Sequence, residues 1–316
     1  MPSSRQSHNC NARSGNGFLH LRMDRVVTAS AAGGTVSFVA GITTELVRET
    51  QLRHALAPTA SAAVGRLVTA AALLGASLKG PERLTLQIAG EGPIGKIVAD
   101  AWSGGDDLIA ARGYARHPLA DLPLNARGKF DVAGVIGKGQ LQVTKSYEIG
   151  QPYVGIVPLE TGEIGEDIAS YLANSQQIPS IVALGVLADP SGIRAAGGVI
   201  AQLMPGVDDA TIARLEANAR EMPSVTTQIV EGSDARGLIE RLAQGLEVRQ
   251  HEHVYALQFD CRCTKERVER ALVGLGRDEL LKLSKEQPET EATCEFCKRR
   301  YVLTNADVER LLARLD

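Results

Sequence analysis

Between Val26 and about Pro205, apolar and polar positions follow two alternating rhythms. The run "TVSFVAG" (35–41) predicts a strand. "TTELVRETQLRHA" (43–55) predicts a helix that Thr43 or Thr44 can cap, with Leu46 and Val47 sharing a face with Gln51 and His54. Pro58 and Thr59 open "ASAAVGRLVTAAALLGASLK", which is apolar almost all round and so predicts a central, buried helix. The runs "RLTLQIAG", "GKIVADAWSG", "DLIAARGYAR" and "GQLQVTKSY" are separated by glycine-rich turns, as in antiparallel hairpins. "YVGIVPLE" predicts a further strand. "GEIGEDIASYLANSQQ" then predicts a helix with Ile164, Ile168 and Leu172 at i, i+4 and i+8. "SIVALGVLAD" and "GIRAAGGVIAQLM" close the region as a hairpin around "PSG". Strands in runs with helices inserted predict an α+β core with a mixed sheet, not a doubly wound fold.

The rhythm changes after "MPG" (204–206). Ile212, Leu215 and Ala219 fall on one helical face; Val225 and Ile229 follow, then Leu238, Ile239, Leu242 and Leu246. Short amphipathic helices are marginal alone, so this stretch needs a neighbour to lie against. The organisation expected is a leader or upstream extension over 1–22, an α+β core over 23–206, an amphipathic helical linker over 207–255, and a small module over 256–316. In the last, Thr264 caps "KERVERALVGLG" and "RDELLKLSKEQ" forms a second helix. "CEFCKRRYVL" reads as a knuckle running into a strand. Thr304 and Asp307 form a capping box for a final helix presenting Val308, Leu311, Leu312 and Leu315.

Composition adds bounds. The hydrophobic share is 44%, the charged share 22% and the aromatic share 4%, which predicts a core of small aliphatic side chains. A net charge of −3 argues against a nucleic-acid binder. No apolar run reaches the ~18–20 residues of a membrane span, and the N-terminal stretch lacks the apolar core of a secretory signal. The expected compartment is the cytoplasm, where clustered cysteines point to metal or redox chemistry.

Four of the five cysteines lie in the last segment, as Cys261-x-Cys263 and Cys294-x-x-Cys297. A module of this size buries little core and needs a staple. One Zn²⁺ held by four thiolates at ~2.3 Å would supply it, with the basic neighbours Arg262, Lys265, Lys298, Arg299 and Arg300 offsetting the negative charge. The spacing reports ligation and does not separate a permanent zinc module from a switch. In an extended strand, residues i and i+2 stand ~6.8 Å apart, at the edge of the ~4.4–6.8 Å that a disulfide spans. A Cys261–Cys263 bond is therefore strained, and strained disulfides are the reducible ones. Cys294 and Cys297 pair more easily across a turn.

At these residues the chain resembles the redox-regulated 33 kDa heat-shock chaperones of bacteria. The likeness extends through "TTELVRE", "GRLVTAAALLGASLKG", "GEGPIG", "TGEIGEDIASYLANSQQIPS" and "AAGGVIAQLMPG", nearly the whole chain from Met23. The resemblance implies one zinc per chain in the reduced form, held by Cys261, Cys263, Cys294 and Cys297. It implies disulfides Cys261–Cys263 and Cys294–Cys297 on oxidation, with zinc release and unfolding of the module and linker. It further implies ATP-independent holding of unfolding client proteins and a homodimer when oxidised. The linker face Ile212, Leu215, Leu238, Ile239, Leu242 and Leu246 is then the candidate client-binding or regulatory surface. The stretch 1–22, with Cys10, has no place in the family pattern.

Other signals carry less. "GEGPIG" matches a dinucleotide fingerprint literally, but a strand follows it where a helix is required, so a hairpin turn is expected. His251 and His253 precede the cysteines, yet four thiolates already complete a tetrahedron. Glu163, Glu166 and Asp167 suit the positive end of a helix. No constellation supports an enzyme. The alternative function is a zinc-ribbon nucleic-acid binder using "CKRRY", but residues 256–316 hold twelve basic and twelve acidic residues, and strong phosphate binding needs a net positive face.

Overall fold

A ten-stranded sheet with strand order β7-β6-β3-β4-β5-β10-β1-β2-β9-β8 organises the computed structural model, which describes residues 24–286 and 289–313. Its strands are β1 (Arg25–Ala31), β2 (Val36–Ile42), β3 (Arg83–Gly90), β4 (Lys96–Gly105), β5 (Leu108–Ala115), β6 (Gly139–Ser146), β7 (Tyr153–Pro158), β8 (Ser180–Asp189), β9 (Gly192–Leu203) and β10 (Val248–Phe259). Helices α1 (Thr44–His54), α2 (Pro58–Gly75), α3 (Val132–Ile136) and α4 (Gly165–Ser175) interrupt the strands. Then come α5 (Asp209–Glu221), α6 (Val225–Val230) and α7 (Ala235–Leu242). The tail carries α8 (Lys265–Val273), α9 (Arg277–Glu286), the two-stranded sheet β11 (Glu289–Thr293) and β12 (Arg300–Thr304), and α10 (Asn305–Leu312). This is an α+β fold. The leader 1–22 with Cys10, Met23, the side chain of His251 and the position of Leu315 lie outside what the structure describes.

Helix α2 is the centre of the larger core. Ala63, Val64, Leu67, Val68, Ala71 and Leu73 have no exposed surface, and the helix packs against β3, β4, β5, β8 and β9. Small residues set how closely it lies. A Cβ on Gly113 of β5 would stand 2.4 Å from Val68 Cγ2, and one on Gly65 would stand 2.6 Å from Val47 Cγ1 of α1. Larger side chains at either position would push the helix off its neighbours.

The opposite face of β1, β2 and β9 carries a second apolar cluster. Phe38, Ala40, Val199 and Ala201 of the sheet meet Leu215, Val225, Ile229, Leu238, Ile239 and Leu242 of α5, α6 and α7. Each of these helices is capped by a side chain: Asp208, Ser224 and Asp234 accept from the amides of Thr211, Thr227 and Gly237.

The expected helical linker over 207–255 is helical only between Asp209 and Leu242. Residues 248–259 form β10, which pairs antiparallel with β1 and, through Ala256–Phe259, parallel with β5. A boundary at 255 would cut this strand in two. Among the described residues β10 is the only strand that pairs with both the β7–β5 half of the sheet and the β1–β8 half. Its polar first half hides the alternation that Val254, Tyr255, Leu257 and Phe259 complete.

Candidate metal centre

β10 and a turn between two short strands bring the four cysteines together. As β10 leaves the sheet, the Asp260 amide still donates to the Ala111 carbonyl at 3.3 Å, and the Asp260 carboxylate accepts from the Cys261 amide at 2.8 Å. Cys261 is therefore only two residues beyond the last sheet-paired residue, Phe259. Cys263 follows just before Thr264, whose extended backbone and side chain cap α8. The other pair sits where β11 turns into β12. The Lys298 amide donates to the Cys294 carbonyl and the Cys294 amide to the Arg299 carbonyl, both at 2.9 Å. Lys298 takes the left-handed conformation, φ +57°, that reverses the chain there.

All four Sγ atoms lie within 4.8 Å of one another. Cys261 and Cys294 are 3.7 Å apart, and Cys263 and Cys297 3.3 Å. Four thiolates at ~2.3 Å from one tetrahedral ion would stand about 3.8 Å apart, so the cluster has the size of such a site. Cys297 is buried, the other three are half-buried, and all four are free thiols. Without a cation, charge distributes unevenly. Burial pushes the Cys297 thiol up to about 12, aided by the neighbouring sulfurs. Burial also opposes ionisation of Cys263, but hydrogen bonds led by the Tyr301 hydroxyl outweigh it and bring that thiol down to about 7. Tyr301 Oη stands 3.1 Å from Cys263 Sγ. Four sulfurs in one pocket all ionise only when a cation joins them, and four soft thiolates at this spacing suit Zn²⁺.

The charge next to the sulfurs comes mostly from elsewhere than expected. Lys265 bonds Asp307, Lys298 bonds Glu295, and Arg300 bonds Glu291. Arg262 lies over Trp102 and donates to the Ser103 carbonyl. Arg299 engages Tyr301 and, electrostatically, Cys263 and Cys297. The guanidinium on a sulfur is Arg112 of β5, whose Nη1 stands 2.9 Å from Cys261 Sγ. Nothing local in sequence points to it. Of the basic residues in "CKRRY", Lys298 and Arg300 pair with acids and Arg299 with Tyr301.

The linker residues are separate from this centre. Leu215, Leu238, Ile239 and Leu242 are fully buried against the sheet, Leu246 is partly buried in the same cluster, and Ile212 is half-buried. The other motifs have structural duties. "GEGPIG" is the β3–β4 turn, with the Gly90 amide on the Gly95 carbonyl at 2.8 Å. The buried Asp167 carboxylate accepts from the amides of Glu160, Thr161, Gly162 and Ile164. Glu163 pairs with Arg66. Among the described residues no helix is long and apolar enough to cross a membrane.

Comparison with known proteins agrees with this arrangement. The family model described as Hsp33 protein matches residues 24–304. The chain is 40% identical to the 33 kDa chaperonin of Clostridium acetobutylicum over 296 residues, covering 93% of this chain and 98% of that protein. It is 42% identical to the 33 kDa chaperonin of Staphylococcus aureus over 299 residues, covering 92% and 99%. The crystal structure of the 33 kDa chaperonin (heat shock protein 33 homologue) of Thermotoga maritima superposes with a TM-score of 0.83 at 34% identity, covering 93% of this chain and 99% of that one. A ten-stranded core, a four-thiol tail and these relatives together place the chain in the Hsp33 family.

Proposed function

We propose that this chain is a cytoplasmic, ATP-independent holdase whose client binding is switched on by oxidation. The observation that carries the reading is the four-sulfur cluster of tetrahedral size, set in a tail with a small aliphatic core of its own. In the reduced form Cys261, Cys263, Cys294 and Cys297 hold one zinc per chain. Bound zinc supplies a structural cross-link worth ~10–16 kcal/mol in comparable small modules.

Oxidation joins Cys261 to Cys263 and Cys294 to Cys297. The four thiolates yield four electrons; two molecules of peroxide with four protons take them up and leave as four waters. Neutral disulfide sulfurs no longer ligate, so the zinc departs as the free ion. The tail then loses its cross-link and unfolds.

The route to the linker runs through β10, which starts beyond Leu246 and ends two residues before Cys261. Strain or fraying at its Cys261 end weakens the pairing with β5 and β1 that closes the sheet. The linker helices rest on β1, β2 and β9. Their release bares both the face of Leu215, Leu238, Ile239, Leu242 and Leu246 and the sheet surface beneath it. Contiguous apolar surface of this kind binds unfolding chains and also favours a homodimer of the oxidised form.

The test is thiol-coupled zinc release from the reduced, zinc-loaded chain. Peroxide with mild heat should free about one zinc per chain and, in the same interval, suppress aggregation of a denatured client. An oxidised, zinc-free sample that leaves aggregation unchanged removes this reading.

A further inference from the structure

The metal knuckle is seated on the core around Phe296. Phe296, between ligands Cys294 and Cys297, packs its ring against two core side chains. It lies edge-on to Tyr114 with centroids 4.9 Å apart, and the Arg112 guanidinium covers it at 3.7 Å. Its carbonyl accepts from His54 Nε2 at 2.9 Å. Arg53, at the end of the same helix α1, donates to the Cys297 carbonyl at 3.4 Å.

Arg112 is fixed from behind. Its Nε and Nη2 donate to Asp100 Oδ2 at 3.0 and 2.9 Å. Asp100 is fully buried and also accepts from Thr85 Oγ1 at 2.7 Å and from Arg83. Thr85, Asp100 and Arg112 are direct cross-strand partners on β3, β4 and β5, so this polar row crosses three strands and ends at the cluster. Only Nη1 is left to point forward, and it meets Cys261 Sγ.

The charges on this row do not cancel by themselves. Asp100 is one anion between two guanidiniums, and Arg112 is almost wholly buried. A buried cation needs a compensating charge. Four thiolates with one dication carry two negative charges and supply it; two disulfides carry none.

We propose that Arg112 and Phe296 form a charge-gated seat. Arg112 is a positioning residue that bonds the Cys261 sulfur and stacks on Phe296, holding the knuckle on the core only while the sulfurs carry metal–thiolate charge. The seat rests on the metal–thiolate reading above. It fastens Cys261, and with it the end of β10, to β5, so the core sheet feels directly whether the site is loaded. Outer partners of this kind typically alter metal retention by ~10–100-fold.

The experiment uses the full, reduced chain loaded with Zn²⁺ or, for spectroscopy, Co²⁺. The variants are Arg112→Met, Arg112→Lys and Phe296→Ala. Arg112→Met should lose zinc to a competing chelator about tenfold or more readily. It should also move the sulfur-to-cobalt charge-transfer band to lower energy, because a sulfur that loses a donated hydrogen bond holds its electrons less tightly. Arg112→Lys, with its charge on a single nitrogen and no planar fork, should restore part of both. Phe296→Ala, which keeps all four sulfurs, should speed amide exchange over residues 257–261 and at Tyr114. Wild-type zinc retention and an unmoved cobalt band in a folded Arg112→Met overturn the proposal. So does unchanged exchange in Phe296→Ala, which decides the matter if Arg112→Met does not fold. Should the wild-type chain bind neither metal, the metal–thiolate reading itself fails, which is a different result from wild-type binding that ignores Arg112.

Discussion

The core sheet and the tail stabilise themselves by different means. Around α2 the core buries a large cluster of aliphatic side chains, Leu67, Leu73, Leu86, Ile97 and Ile136 among them. The tail buries Leu280, Leu303, Val308, Leu311 and Leu312 and gathers four thiols instead. A fully buried aliphatic side chain contributes ~1.5–3 kcal/mol, so the tail's share is small against the entropy of ordering it. A cluster that holds a metal can be dismantled by chemistry; a packed helix cannot. Under the proposed function, this difference lets one part of the chain respond to oxidant while the other persists.

The largest expected effect breaks the comparison at its metal. Cys263→Ser, or chelation of the reduced chain, should remove most of a ~10–16 kcal/mol contribution and unfold the tail. The core should retain its own transition. Two separate transitions in calorimetry or in amide exchange would show this, and a single joint loss would refute the division.

Next in size is the packing of the core. Leu67→Ala, at a fully buried position of α2, should cost ~2–5 kcal/mol, read as a lower core melting temperature with zinc retention unchanged. Leu238→Ala in α7 should cost a similar amount, but at the linker–sheet contact. It should raise client protection by the reduced chain, measured as slower aggregation with no oxidant added.

The smallest effect concerns charge within the tail. Lys265 holds the Asp307 carboxyl far below its ordinary range, helped by the Thr304 amide. A depressed carboxylate stabilises the folded form above the unfolded value of about 3.8 and loses that contribution as pH falls through the folded value. Asp307→Asn should therefore lower the melting temperature of the zinc-loaded tail slightly at pH 7, and α10 should fray first by amide exchange. An unchanged melting temperature at pH 7 would show that the Lys265–Asp307 link between α8 and α10 is idle.

How far the sequence discloses this division depends on whether a feature is local. Helix α2 is legible because an apolar run of its length can only be interior. The four-thiol cluster of the tail is legible because thiols at Cys-x-Cys and Cys-x-x-Cys spacing have few uses other than metal binding or redox chemistry. Thr264 and Thr304 announce α8 and α10 by their caps. β10 is illegible because its partners, β5 and β1, lie far away in sequence, and Gln250, His251 and Glu252 interrupt its alternation. β1 and β11 escape for another reason: their partners β2 and β12 follow closely, but both runs are short and β11 is largely polar and charged. Arg112 is the sharpest case. It stands 149 residues before Cys261 and reaches it only because β10 runs parallel to β5.

Amide exchange of one sample before and after peroxide treatment, with released zinc and the four thiols assayed in parallel, tests the central claim most directly. The account predicts that residues 260–313 lose protection as zinc leaves and client aggregation stops, while α2 and its surrounding strands keep theirs. A chain that protects its client with the four thiols unmodified, the metal retained and the tail still protected would contradict it.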